Sequence, residues 1–426
     1  MKLNTLLIGS GGREHALALS LSKSQSCGRL YAAPGNPGIF KIAEKAEIEI
    51  NNHGSVVHFC KSNDINLVVI GPEQPLADGL SDILTGVGIA VFGPSQYAAQ
   101  LESSKDFSKR IMQSNNIPTA SYRTFTAPEQ NEAHNYIDSQ FLPIVLKADG
   151  LAAGKGVVIA TTFDEAHYAI DSMFGGEFGK AGKSVLIEEF MQGQEASVFV
   201  ISDGIDYLIL PPSQDHKRTG NGDTGKNTGG MGAYSPASLV SDEIMQKVEF
   251  QIIKPLLKAM SDTGNPYRGC LYVGLMIENS NPKVVEFNAR FGDPETQVVM
   301  PLISGDVAKL FYTSAIGKIE KDSVSINTNE CAVCIVLASE GYPDSYQKGF
   351  EITYPEVLPE NQFIYHAGTS EIDGKIVSSG GRVLGAVAKS TNLSDAIKSA
   401  YQLVDKIYFD NKYYRNDIGQ KGLESL

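Results

Sequence analysis

The chain has 426 residues, 42% of them apolar and 20% charged, which is the make-up of a globular protein with room for several domains. Its 36 basic and 49 acidic residues leave a net charge of −13, which argues against nucleic-acid and acidic-membrane partners and requires local Lys and Arg clusters for any anionic substrate. No stretch of the sequence approaches the roughly 18 apolar residues of a membrane span, and five cysteines fit a reducing compartment, so a cytoplasmic protein is expected.

Met1 to Gly9 is too short in apolar length for a signal peptide and reads as a buried strand over Leu3 to Ile8. Gly9-Ser10-Gly11-Gly12-Arg13-Glu14-His15 then turns into a helix reaching about Ser22. A strand, a glycine turn and a helix N-terminus can face an anion with backbone N–H groups. The dinucleotide pattern G-x-G-x-x-G is broken, because Glu14 stands at the third glycine and the next strand ends in Pro34-Gly35-Asn36 rather than an acid. That counts against a nicotinamide-dependent dehydrogenase. Strands over Asn66 to Ile70 and Ile89 to Phe92, alternating with helical stretches, predict a parallel α/β sheet with its ligand crevice at the strand C-termini.

Leu101 to Ser114 reads as one helix carrying Lys105. Leu142 to Gly150 and Val157 to Ala160 read as a hairpin whose tip, with Gly154-Lys155-Gly156, can close over phosphates. Ser184 to Phe190 reads as a strand ending in Glu188-Glu189-Phe190-Met191, and Gln194-Glu195 begins the next. Such a linker suits a nucleoside, with backbone for the base edge and a carboxylate for the ribose. Ser213 to Pro236 reads as a long structureless loop with six glycines behind Asp215, His216, Lys217 and Arg218, an anion or zwitterion site in composition. Ser241 to Ser261 is an amphipathic helix, and Gly269 to Glu278 with Lys283 to Asn288 forms a hairpin.

The second strand of that hairpin carries the strongest signal, Val284-Val285-Glu286-Phe287-Asn288-Ala289-Arg290-Phe291-Gly292-Asp293-Pro294-Glu295. Side chains two apart share a strand face, so Glu286 and Asn288 project together while Val285 and Phe287 point into the core. A carboxylate beside an amide oxygen is a hard-oxygen pair suited to Mg²⁺ that retains waters and binds phosphate. Glu278 is a further candidate for a second metal beside Glu286, and Arg290 is a cation available to an anionic substrate. After about residue 322 the character changes to a small closing α/β domain, with strands Ala332–Leu337 and Val383–Val387 and a helix Ser394–Tyr408. Cys331-Ala-Val-Cys334 has CxxC spacing, but positions three apart on a strand face opposite ways, against a redox pair or zinc half-site.

Taken together, the Gly9–His15 turn, the Lys147–Gly156 hairpin, the loop from Gln214 to Tyr234 and the Glu286–Glu295 run resemble the ATP-grasp superfamily, and within it the phosphoribosylamine–glycine ligase family, over essentially the whole chain. The resemblance implies an α/β fold in three parts. These are an N-terminal parallel α/β domain (1–101), a central ATP-grasp fold of two α+β subdomains (102–322, with a mobile subdomain at about 121–190) and a small C-terminal α/β domain (323–426). It implies a single-activity, monomeric enzyme whose partners are small molecules: ATP, glycine and 5-phosphoribosylamine. Carried over, Lys105, Lys147, Lys217, Arg218 and Asn227 match phosphate contacts. Glu188, Glu189, Phe190 and Met191 match the adenine strip and Glu195 the ribose acid. Glu286 and Asn288 match the ligands of Mg²⁺ or Mn²⁺. Asp215, Arg290 and Asp293 are expected to hold glycine or the ribose phosphate, and the turn Gly9, Ser10, Gly11, Gly12 the phosphoribosylamine.

Overall fold

The computed structural model describes residues 2–151, 156–176 and 182–424; the hairpin tip with Gly154 and Lys155 lies outside the described residues. Five parallel strands open the chain: β1 (Leu3–Gly9), β2 (Cys27–Pro34), β3 (Glu44–Lys45), β4 (Leu67–Ile70) and β5 (Ala90–Phe92). Their spatial order is β3-β2-β1-β4-β5. The chain winds outward on one side of β1 and returns on the other, so the strand order reverses at β1 and β4. The C-terminal ends of these two strands, Gly9 and Gly71-Pro72-Glu73, border the crevice where such sheets bind ligands.

A four-stranded antiparallel sheet follows, made of β6 (Tyr122–Thr126), β7 (Ile144–Ala148), β8 (Val157–Ala160) and β9 (Ser184–Glu189) in the order β6-β9-β7-β8. A second antiparallel sheet is built from β10 (Gln194–Asp203), β11 (Tyr207–Ile209), β16 (Arg268–Glu278) and β17 (Asn281–Asn288) in the order β11-β10-β16-β17. Between β11 and β16 run β12 (Gln214–Asp215), β13 (Arg218–Gly220), β14 (Thr224–Asn227) and β15 (Gly232–Ser235). Beyond them lie a short pair, β18 (Ile303–Gly305) with β19 (Val324–Ile326), and the C-terminal strands β20 (Cys331–Ser339), β21 (Gln362–His366), β22 (Thr369–Ile372), β23 (Lys375–Ser378) and β24 (Arg382–Ser390).

The stretch from Ser213 to Pro236 is not the structureless loop its composition predicts. β13 and β14 form a hairpin turning at Gly222 and Asp223, both at positive φ, and β15 pairs with β20, so β12 and β15 extend the C-terminal sheet. Glycine content hid the strands, and the partner that orders them lies about a hundred residues downstream. The expected single helix over Leu101 to Ser114 is likewise two, Gln96–Ser103 and Lys105–Ser114. Ser104 breaks it: its Oγ caps Phe107 N–H at 3.1 Å, while Asp149 accepts from Lys105 N–H at 2.6 Å. Cys331 and Cys334 are free thiols on opposite faces of β20, each in a separate apolar core.

Aromatic packing seats the N-terminal sheet on the central one. Phe92 of β5 stacks on Phe311 at 4.0 Å between centroids, and Phe291 meets Phe199 of β10 edge-on at 5.4 Å. The C-terminal domain is fixed to the N-terminal one by polar contacts. Asn36 donates to Ser10 O at 2.8 Å and to His366 O at 2.9 Å, and His366 N–H donates to His15 Nδ1 at 2.8 Å.

Three histidines are buried and neutral here. Burial lowers His366 to about 4, helped by Lys41, and His216 to about 4, helped by Arg415 and Lys421; it also holds His15 well below the ordinary histidine value, with His366 and Lys41 adding to the effect. Below about 6.5 the unfolded chain protonates these rings and the folded chain does not, so their contribution to stability is complete above that pH and is lost as pH falls toward 4. The histidine contribution to the thermal midpoint should therefore be level above about pH 7 and drop between about 6.5 and 4. His366→Gln should remove part of that drop; a difference in midpoint between wild type and variant that stays constant from about pH 7 to 4 would refute the assignment.

Candidate active site

The site begins with a hairpin register. β16 and β17 join through Asn279 and Ser280, both at positive φ as a two-residue turn requires. That register sets Glu286 opposite Gly274 and Asn288 opposite Tyr272. Glu286 and Asn288 share one face, as their spacing predicts, and both line a cavity of about 1380 Å³. A bulge at Val285 interrupts the alternation. Val284 is fully buried, whereas Val285 turns to the cavity wall rather than the core. Glu278 pairs with Asn281 at the far end of the hairpin, exposed and roughly 13 Å along the strand from the Glu286 level. It does not join Glu286.

Residues of both antiparallel sheets, the N-terminal turn and the β14 region wall the same cavity. On the small-sheet side Lys147 of β7 meets Glu188 of β9 at 3.0 Å, and Lys109 meets the same carboxylate at 3.1 Å. Glu188 therefore points inward between two lysines, and its neighbour Glu189, on the alternate face, accepts from Ser121 N–H at 3.1 Å outside. Lys105, the first residue of its helix, donates to Gly150 O at 3.0 Å and forms no ion pair among the described residues. Burial lowers its pKa against the pull of Glu286.

Phe190 to Gly193 carry the chain from the small sheet to the large one without joining either. Gly193 sits at φ +129°, and a Cβ there would lie 2.3 Å from Ile277 O, so only glycine lets the linker cross so close to β16. Phe190 is half-exposed at this crossing, and Met191 lies beside it.

An acidic group faces these lysines. Asp215 and Glu295 are buried, and Lys217 is ion-paired with Glu195. Burial raises Asp215 strongly; Lys217 opposes that, and Glu295, Glu195 and Glu286 reinforce it. Burial likewise raises Glu295, whose Oε1 lies 3.4 Å from Ser197 Oγ. Glu286 behaves oppositely. Burial raises it, but Lys217, Lys147, Lys105 and Arg290 together hold it below the usual carboxylate range, so it stays an anion. The cavity thus separates a carboxylate whose charge the surrounding cations favour from two whose burial favours the protonated form.

Arg290 and Asp293 have protein partners that the sequence did not show. Arg290 lines the cavity, but its guanidinium is engaged: Nε lies 3.1 Å from Glu73, Nη2 2.8 Å from Glu102, and Nη1 donates to Phe291 O at 3.1 Å. Asp293 is a junction between domains. Its Oδ2 accepts from Arg13 N–H at 3.1 Å, and its Oδ1 accepts from Gln297 at 2.9 Å and lies 3.2 Å from Arg382. Arg218 donates to Gly225 O inside its own hairpin, outside the cavity wall, whereas Asn227 and the neighbouring Lys226 line it. Gly9, Ser10 and Gly11 form the floor, and Gly12 packs behind them on Gln297. Glu14 fills the space left by Gly9 and Gly71, and caps Gly11 N–H at 2.6 Å.

Family models match the chain in three consecutive segments: the N domain (residues 3–102), the ATP-grasp (A) domain (103–296) and the C domain (332–421) of phosphoribosylglycinamide synthetase. The chain belongs to the phosphoribosylglycinamide synthetase family. It is 47% identical to a phosphoribosylamine–glycine ligase of Leptospira interrogans over 99% of its length and 100% of that relative's. One from Agrobacterium fabrum is also 47% identical, with 99% of each chain covered. A crystal structure of the Thermotoga maritima phosphoribosylamine–glycine ligase superposes with a TM-score of 0.85 at 34% identity, covering 97% of this chain and 100% of that one. A biotin carboxylase domain of Hydrogenobacter thermophilus shares the fold at 15% identity and a TM-score of 0.73, covering 97% and 92%.

Within this family member, sequence reasoning missed Lys109, Glu73, Glu102 and Arg382, whose roles arise from distant partners. A signal existed for Lys109: it stands one helical turn after Lys105 and shares its face. Glu188 Oε1 has no hydrogen-bond partner among the described residues, so that carboxylate relies on its two lysines. Removing one member of a buried ion cluster costs about 3–5 kcal/mol. Urea unfolding of Lys109→Met should show a loss of that order, and adding Glu188→Gln should recover part of it. A loss below about 1 kcal/mol would mean that the cluster is hydrated and weak.

Proposed function

We propose that this cavity is where the chain joins glycine to 5-phosphoribosylamine, with ATP cleaved to ADP and phosphate and glycinamide ribonucleotide formed, as a step of purine biosynthesis. The observation that carries the reading is one face bearing Glu286 and Asn288 opposite Lys105 and Lys147, in a chain that belongs to the phosphoribosylglycinamide synthetase family. The biotin carboxylase domain of the same fold is described with MgADP bound, which supports a nucleotide between the two antiparallel sheets here.

The residues fit a divalent ion. Glu286 is an anion at the cavity surface and Asn288 adds an amide oxygen on the same face, while no group of three or more His, Cys, Asp or Glu side chains among the described residues forms a complete ligand cage. Two protein oxygens with the rest from phosphate and water is the coordination Mg²⁺ prefers, and Mn²⁺ tolerates it. Bound there, the ion would neutralise phosphate charge. Phe190 and Met191 would flank the adenine, the backbone of Glu188 to Met191 would meet its edge, and Glu195 would take the ribose hydroxyls. Lys105, whose ammonium has only a carbonyl partner among the described residues, and Lys147 would receive the phosphates, with Lys217 and Asn227 on the far side.

Glycine's carboxylate is a poor electrophile, and phosphorylation by ATP makes it a good one. A carboxylate oxygen attacks the terminal phosphorus, the bridging P–O bond breaks, and ADP leaves. The amine of phosphoribosylamine then attacks the acyl carbon of glycyl phosphate, the C–O bond breaks, phosphate departs and the amine gives up a proton. Both steps depend on alignment and on neutralising developing charge, not on a protein nucleophile. Asp215 and Glu295 are suited to the α-ammonium of glycine and can exchange a proton as it arrives, because their environment favours protonation when they are alone. Asp293 acts by fixing the Gly9–Gly11 floor, against which phosphoribosylamine would rest.

The direct test is ADP formation that requires both glycine and phosphoribosylamine generated in place. Stimulation by a different carboxylic acid, with none by glycine, would overturn the reading. Glu286→Ala should fold normally and lose at least about 100-fold in turnover, the scale seen when a transition-state charge stabiliser is removed. Near-normal turnover at saturating Mg²⁺ would remove Glu286 from the chemistry.

A further inference from the structure

Arg382 opens β24 in the C-terminal domain and reaches the cavity wall. One nitrogen anchors it. Nη1 donates to Gly229 O at 2.6 Å and to Asp293 O at 2.8 Å, and lies 3.2 Å from Asp293 Oδ1. Nε and Nη2 have no partner among the described residues, yet neither is sealed from solvent as a buried unpaired atom would be. A guanidinium held by one nitrogen, with two adjacent donors free, is arranged to take two oxygens of one anion side by side.

The surroundings create a need for that donor edge. The turn after β1 was expected to face the substrate's anionic group with the N-terminus of the first helix. In the structure, Gly11 N–H and Arg13 N–H there already face protein carboxylates, Glu14 at 2.6 Å and Asp293 at 3.1 Å. Arg13 is paired with Glu14, and Arg290 is held between Glu73 and Glu102. Arg382 adjoins the same floor through Asp293, and its anchor contacts also brace the Gly229–Gly230 backbone.

We propose that Arg382 is a substrate-binding residue that grips a terminal oxyanion group, either the phosphate of the sugar substrate or the carboxylate of the amino acid; this rests on the ligase reading above. The C-terminal domain thereby contributes a group that touches substrate as well as a scaffold.

Steady-state turnover of the full chain tests it, comparing wild type with Arg382→Gln and Arg382→Lys. The glutamine variant should raise KM for one anionic substrate by at least about tenfold, the scale of a lost charge-assisted hydrogen bond, with KM for ATP within about threefold; because it also loses the pair with Asp293, the substrate-selective rise and not the thermal midpoint is the readout. The lysine variant, which keeps the charge but not the paired donors, should fall between. A rise confined to phosphoribosylamine assigns the sugar phosphate, and a rise confined to glycine assigns the carboxylate; either supports the proposal. Unchanged KM values would overturn it, as would a joint rise for all three substrates, which is the signature of a brace alone. Wild type that shows no glycine- and phosphoribosylamine-dependent ADP formation would instead remove the ligase reading itself.

Discussion

A cation inside a protein needs a counter-charge, and the cavity is arranged around that constraint. Glu188 answers Lys147 and Lys109, Glu195 answers Lys217, Glu73 and Glu102 answer Arg290, and Asp293 answers Arg382. Such pairs add little net stability, because desolvation offsets most of the attraction. What they provide is a charged wall that survives without ligand in a chain whose net charge is −13. The arrangement also has a direction. Were the proposed phosphates to draw Lys147 away, Glu188 would keep Lys109, which is buried and tied to Thr119 Oγ1 at 2.9 Å and Ala120 O at 3.2 Å.

Local pattern made much of this legible. The parallel strands, the turn at Gly9, the hairpin ending in Glu286 and Asn288, and the change of character after residue 322 all follow from apolar periodicity and turn chemistry, which act over a few residues. The misreadings share a cause. Period-two alternation assumes an unbroken ladder, and the bulge at Val285 breaks it. The helix Leu101–Ser114 looked continuous because Asp149, which ends it at Ser104, lies 44 residues beyond Lys105. The ion pairs of Arg290 were hidden for the same reason, since Glu73 and Glu102 are distant in sequence. Residue type told what chemistry was present; only the fold told which charges were already answered.

The glycine-rich hairpin shows the same principle at the scale of domains. Nothing in Gly220 to Gly230 predicts order, since glycine adds conformational entropy that folding must overcome. Order comes from outside. Arg415, fully buried, donates to Arg218 O at 3.0 Å and pairs with Asp223 at 2.9 Å; Tyr413 donates to Thr219 O at 2.8 Å; Lys226 meets Asp344 at 2.8 Å. Through β12 and β15 the segment belongs to the C-terminal sheet, while Asp215, Lys217 and Asn227 face the cavity. The cavity wall is therefore built by three domains at once, and Asp293 is where they meet, touching the first helix through Arg13 N–H, the central domain through Gln297 and the C-terminal domain through Arg382. A fold of this architecture can serve different reactions, as its likeness to a biotin carboxylase domain shows. In this chain the pieces of the wall come from separate domains, and one carboxylate, Asp293, holds contacts to each of them.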